Sequence, residues 1–145
     1  MRIVLDTSVL IAALRSGRGA AAENLRLVLL ERLTLLLDYS LVCEYRDVAL
    51  REEHLQASGR SAAEVAHIVN MLEAIAEPVY VQIRHRPLSQ DESDDCVLDV
   101  AINGGAEAIV TYNTRHFSRA AARFGLRVLT PAQLLTVFRD REEGD

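Results

Sequence analysis

The chain has 145 residues, is 50% hydrophobic and carries a net charge of −5. A chain of this size makes one domain that buries about 68–70% of the surface its unfolded form exposes, and the apolar content excludes a disordered polypeptide. No apolar run approaches the roughly 18 residues that span a bilayer, and Asp6 falls where a signal peptide would be apolar, so a cytoplasmic protein without membrane association is expected.

Arg2-Ile-Val-Leu-Asp6 is a short apolar run ending in an acid, which predicts a strand. Thr7 and Ser8 behind it can cap a helix over 9–14. A second helix over 20–32 leads into a buried strand over 33–38. Ser40 then opens a helix that carries Glu44 and runs toward Glu53. Ser61-Ala-Ala-Glu64 is a capping-box pattern, and Val65, Ile68, Val69, Leu72 and Ile75 recur behind it at helical spacing, predicting a helix to about Ala76. A third strand is expected over 78–84 and a helix over 92–103, stopped by Gly104 and Gly105. A strand over 108–111, a helix over 115–124, a strand over 126–129 and a closing helix from Pro131 complete the order. Residues 1–138 read as one domain, and 139–145 as a frayed polar tail. Apolar strands alternating with helices predict a three-layer α/β/α fold around a mainly parallel five-stranded sheet, with ligands beyond the carboxyl ends of the strands.

Three acids fall where that rule directs attention. Asp6 ends the first strand, although alone it could simply cap the next helix. Glu44 lies one turn into the helix after the second strand. Asp91-Glu-Ser-Asp-Asp-Cys96 begins a later helix, where acids also complement the helix dipole. Asp95 and Asp99 stand four apart and so share a helical face, and Asp99 sits among apolar neighbours where an isolated carboxylate is costly. A divalent cation relieves both strains, as an arginine could. Carboxylates from three separated segments suit Mg²⁺ or Mn²⁺, which can polarise a phosphodiester and acidify a water.

The segments Val4-Leu-Asp-Thr-Ser-Val-Leu-Ile11, Ser40-Leu-Val-Cys-Glu44, Asp94-Asp-Cys-Val-Leu-Asp99 with Ala101-Ile-Asn-Gly104, and Ala108-Ile-Val-Thr-Tyr-Asn-Thr-Arg-His-Phe117 occur in order across nearly the whole chain. Together they resemble the PIN-domain nucleases, in particular the VapC-like ribonuclease toxins of bacterial toxin–antitoxin pairs. The resemblance implies a magnesium-dependent endoribonuclease whose first three acids are Asp6, Glu44 and Asp95, and it implies RNA as substrate, a cognate antitoxin protein and a homodimer. The family's fourth acid falls on Asn113. The neutral amide leaves the site one negative charge short, and Asp99 is expected to substitute in part. A catalytically weak or inactive PIN-fold module that binds RNA or a partner is the alternative.

Ser8 and Thr111 could hydrogen-bond a carboxylate, or merely finish secondary structure. Arg15, Arg18, Arg84, Arg86 and Arg115 are candidates for phosphate contacts or ordinary surface arginines, and His116 lies near Asn113. His54, His67 and His85 show no ligand spacing. Cys43 and Cys96 lack metal or redox spacing and read as free thiols. All 16 basic residues are arginine. The absence of lysine excludes a P-loop, Schiff-base chemistry and a phospho-receiver domain, and Ser8 stands where a haloacid-type phosphotransferase needs a second Asp.

Overall fold

The computed structural model describes residues 1–82 and 92–144, with the side chains of residues 92–94 outside that description. Its elements are β1 (Arg2–Leu5), α1 (Thr7–Arg15), α2 (Ala20–Leu29), β2 (Thr34–Leu37), α3 (Tyr39–Ala49), α4 (Glu52–Ser58), α5 (Ala62–Ile75), β3 (Glu77–Pro78), α6 (Glu92–Gly104), β4 (Ala108–Val110), α7 (Thr114–Arg123), β5 (Arg127–Leu129) and α8 (Pro131–Gly144). The strands form one five-stranded sheet in the order β3-β2-β1-β4-β5, and every neighbouring pair is parallel. Helices cover both faces, which gives the expected three-layer α/β/α architecture.

The central strands are apolar at successive positions because both of their faces are covered. Ile3, Val4, Ile109 and Val110 are all fully buried, and each such side chain contributes about 1.5–3 kcal/mol. Register pairs Leu5 with Val110. Asp6 and Thr111 therefore leave the sheet side by side, the Asp6 N–H donating to the Val110 carbonyl at 2.9 Å. The chain moves outward through β2 and β3, then returns past β1 to lay down β4 and β5 on the other side. That reversal between β1 and β4 opens a crevice at their carboxyl ends.

Several elements depart from the sequence reading. The helix expected from Ser40 toward Glu53 is two helices. Asp38 caps α3 by accepting from the Leu41 N–H at 2.8 Å, and Arg51 turns extended (ψ 138°) before α4. No residue of Ala49-Leu-Arg-Glu-Glu53 breaks a helix by propensity. Packing does so instead: α4 lies against α1, and the Arg60 Nε donates to the Leu14 carbonyl at 3.2 Å just beyond it. The third strand is only Glu77–Pro78, and its expected remainder from residue 83 lies outside the described residues. Ser61 caps α5 as its pattern predicts, accepting from the Glu64 N–H at 3.1 Å. Gly105, at φ +63°, ends α6, and a Cβ on Gly104 would sit 2.8 Å from Val79 Cγ2. That pair of glycines thus supplies both the turn and the close approach.

The closing helix runs to Gly144, so residues 139–144, expected to fray, are helical. Arg141 pairs with Glu107 at 2.7 Å, and Glu142 with Arg32 at 2.5 Å. The hydrogen bond from Arg141 is the main cause holding the Glu107 carboxyl below its ordinary value of 4.5. A carboxylate with a depressed folded-state pKa adds stability above its unfolded value and loses it as the pH falls through the folded one. Both partners are well exposed, so Arg141→Ala is expected to cost under about 1 kcal/mol at neutral pH. The difference from the parent should vanish in acid, which urea titrations at a series of pH values would reveal. Cys43 and Cys96 form no disulfide. Among the described residues no helix is long and apolar enough to cross a membrane.

Candidate functional site

Asp6 occupies the N-cap position of α1 with an extended backbone, yet its side chain makes no capping hydrogen bond. The carboxylate serves another purpose. Its Oδ2 accepts from the Ser8 hydroxyl at 2.8 Å and from the Thr111 hydroxyl at 2.7 Å. Both hydroxyls in turn accept from the backbone after β4: the Asn113 N–H donates to Thr111 Oγ1 at 2.9 Å, and the Tyr112 N–H to Ser8 Oγ at 3.4 Å. A hydroxyl has a single proton to give, so an N–H on its acceptor side aims that proton at the carboxylate. The β4 loop thereby orients Asp6, which is only 7% exposed.

Glu44, half-buried on α3, is held in the same manner: its Oε2 accepts from the Thr7 hydroxyl at 2.8 Å. Thr7, expected as a cap, is instead the donor that holds Glu44, and Ser8, left open by the sequence between a carboxylate donor and a cap, is the donor to Asp6. The next residue, Tyr45, is fully buried and donates its hydroxyl to the Leu5 carbonyl at 2.5 Å, bracing the end of β1. Burial pushes its phenol well above the ordinary 10.0, and the nearby charges of Asp6 and Glu44 push it further. The two carboxylates thus act on one buried ring from the same region.

A cleft of about 710 Å³ collects Asp6, Ser8, Glu44 and Asn113, with Arg15, His54 and His116 also in its lining. Asn113 is exposed there and N-caps α7 without using its side chain, although asparagine is among the best capping residues. Thr111 is fully buried behind Asp6. Asp95 and Asp99, 4% and 1% exposed, lie on α6, which packs on β1 and α3, and the described lining of the cleft includes neither. Among the described residues no three His, Cys, Asp or Glu side chains are gathered into a group that could hold a metal ion. Arg115 and Arg18 are exposed outside that lining, and Arg84 and Arg86 lie outside the described residues.

The sequence reading did not assign His54, Thr7 or Tyr45 to the site. Thr7 carried a signal, being a hydroxyl beside a strand-end acid, whereas His54 reaches the cleft only because α3 and α4 part company. The donor chemistry fits a hard divalent cation. Hydroxyls take up Oδ2 of Asp6 and Oε2 of Glu44, so the described hydrogen bonds leave Oδ1 and Oε1, anionic oxygens of the type that Mg²⁺ and Mn²⁺ prefer.

The PIN domain family model matches residues 2–115. Among solved structures, the chain matches one from the crystal structure of VapBC2 from Rickettsia felis bound to a DNA fragment from the promoter. Identity there is 15% and the TM-score 0.59, with 90% of this chain and 98% of that chain covered, a likeness of fold. No curated protein matches by sequence.

Proposed function

The chain belongs to the PIN-domain family, and from that premise we propose that it is a magnesium-dependent endoribonuclease and the toxin of a type II toxin–antitoxin pair. The observation that carries the proposal is the pinned carboxylate of Asp6 at the switch point of the sheet, facing the cleft it shares with Glu44. In this reading Asp6, Glu44 and Asp95 hold the cation, while Asp99 and Asn113 contribute to its charge and polar surroundings. The ion, when bound, supplies Lewis-acid stabilisation of charge at phosphorus and a more acidic water.

The protein's own contribution is orientation and charge. Ser8 and Thr111 fix which oxygen of Asp6 faces outward, and Thr7 does the same for Glu44. Arg15 in the cleft wall is placed to meet a phosphate, and Arg115 is a further candidate at its edge. The amide of Asn113 offers a neutral oxygen where the family pattern has an acid, so the site carries less negative charge and is proposed to work with one strongly held ion.

Incubation of labelled RNA with the protein, at fixed salt, tests this directly. Cleavage is expected with Mg²⁺ or Mn²⁺ and is expected to stop on chelation. The toxin role predicts growth arrest on expression, relieved by a small protein encoded in the neighbouring reading frame. The family resemblance also motivates the proposal of a homodimer in the cytoplasm, checked by light scattering of the purified protein. The second reading is a PIN-fold module that binds RNA or a partner without cutting, favoured by Asn113 in the acid's place. RNA bound equally with and without metal, and left intact, would establish it over the first.

A further inference from the structure

The chain contains no tryptophan and four tyrosines. Three of the four are exposed: Tyr39 by 80%, Tyr80 by 79% and Tyr112 by 49%, while Tyr45 is buried. Their positions follow one rule. Tyr39 comes two residues after Leu37 at the end of β2, Tyr80 two after Pro78 at the end of β3, and Tyr112 two after Val110 at the end of β4. Because the strands are parallel, all three stand on the edge of the sheet that carries Asp6. The order β3-β2-β1-β4 puts Tyr80 and Tyr39 on one side of Asp6 and Tyr112 on the other. Adjacent strands lie about 4.8 Å apart, so the two flanking strands are separated by roughly 10 Å.

Tyr39 and Tyr80 line one groove of about 490 Å³. Two acids also border it, and both are engaged within the protein. Asp38 caps α3 through the Leu41 N–H, and Glu73 pairs with Arg46 at 2.9 Å. The groove is thus bordered by two exposed tyrosines, with its nearby carboxylates already committed. On the far side, the Tyr112 N–H donates to the Ser8 hydroxyl that holds Asp6, so its backbone is tied to the carboxylate itself. Exposed rings on both sides of a phosphodiester-cleaving centre match the chemistry of unpaired nucleobases, whose faces stack on aromatic side chains irrespective of sequence. Bases in a duplex hide those faces.

We propose that Tyr39, Tyr80 and Tyr112 form a stacking track that holds unpaired bases on either side of the scissile phosphate. The position of the phosphate rests on the nuclease reading. The affinity of the rings for bases does not, so the two are separable by experiment.

The absence of tryptophan makes tyrosine emission a direct reporter. In chelator, at fixed salt, a labelled 10-nucleotide single strand is titrated with the parent and compared with a duplex of the same sequence. The single strand is expected to bind more tightly and to quench tyrosine emission. Tyr39→Ala, Tyr80→Ala and Tyr112→Ala should each weaken it by about 5- to 150-fold, and the Phe variants should retain it. Equal binding of strand and duplex, or alanine variants that bind like the parent, would overturn the track. So would alanine variants that change the oligomeric state on a sizing column, since the rings would then serve a second copy of the chain. Cleavage is followed in parallel with Mg²⁺. A parent that stacks bases through these rings without cutting sinks the nuclease reading and leaves the track standing. A parent that cuts, with alanine variants that bind and cut equally well, does the reverse.

Discussion

Asp6→Asn is expected to lower metal-dependent RNA cleavage by at least about 10²- to 10³-fold, the cost of removing one preorganised electrostatic contact at a reacting centre. The substitution is close to isosteric, and its remaining carbonyl oxygen can still accept from Ser8 and Thr111, whose hydroxyls are aimed by the backbone after β4. The fold should therefore survive, so lost activity would report lost charge. Thermal unfolding with and without Mg²⁺ separates the two. A cation that binds only the folded parent raises its Tm by mass action, and the Asn variant should lose most of that shift while keeping its metal-free Tm. Cleavage by Asp6→Asn at the parental rate would remove Asp6 from the site, and with it the reading of the cleft as catalytic.

The largest effect on stability is expected at Tyr45. The ring is fully buried, so Tyr45→Ala should cost about 3–5 kcal/mol through lost packing and the cavity left behind. Tyr45→Phe keeps the ring and loses only the hydrogen bond to the Leu5 carbonyl, with a cost of about 1 kcal/mol. The pair also makes an alkaline prediction. Burial, and then the charges of Asp6 and Glu44, hold the phenol protonated above the 10.0 at which the unfolded chain ionises. Above that pH the unfolded state alone releases the proton, so the parent loses stability as the pH rises toward its folded-state value. Tyr45→Phe should lack this loss, and its deficit should shrink between neutral pH and strong alkali. Urea titrations would show an unchanged gap if the phenol were not held neutral. Because the hydroxyl grips the carbonyl just before Asp6, Tyr45→Phe should also loosen Mg²⁺ binding modestly.

Much of the architecture was legible because it follows from local rules. The apolar runs at Ile3 to Leu5 and Ala108 to Val110 lack alternation, which only strands covered on both faces require, and so they pointed to a parallel sheet. Ser61 with Glu64 marked the start of α5, and Gly105 the end of α6, because caps and left-handed turns depend on the residue at the position itself. The rule for open parallel sheets then placed Asp6 at the crevice before any contact was known. Glu44 came from its distance past the second strand and Ser8 from proximity to a strand end, whereas Asn113 came only from the family resemblance.

What remained illegible depended on contacts between distant segments. The break between α3 and α4 has no helix-breaking residue, since it answers to packing on α1, and His54 enters the cleft only through that break. The role of Thr7 was hidden for the same reason. It looks like a cap in one dimension, and becomes the donor to Glu44 when α3 approaches. The helical state of residues 139–144 likewise accompanies Arg141 and Glu142 reaching Glu107 and Arg32, over 100 positions away for the second pair. By itself the sequence determined the layers, the parallel sheet and the acid at the end of its first strand, because periodicity, caps and chain connectivity are local. The tertiary structure alone decided which oxygen of Asp6 is held, which residues share its cleft and that three tyrosines flank it, because such alignments exist only once separate strands lie in register.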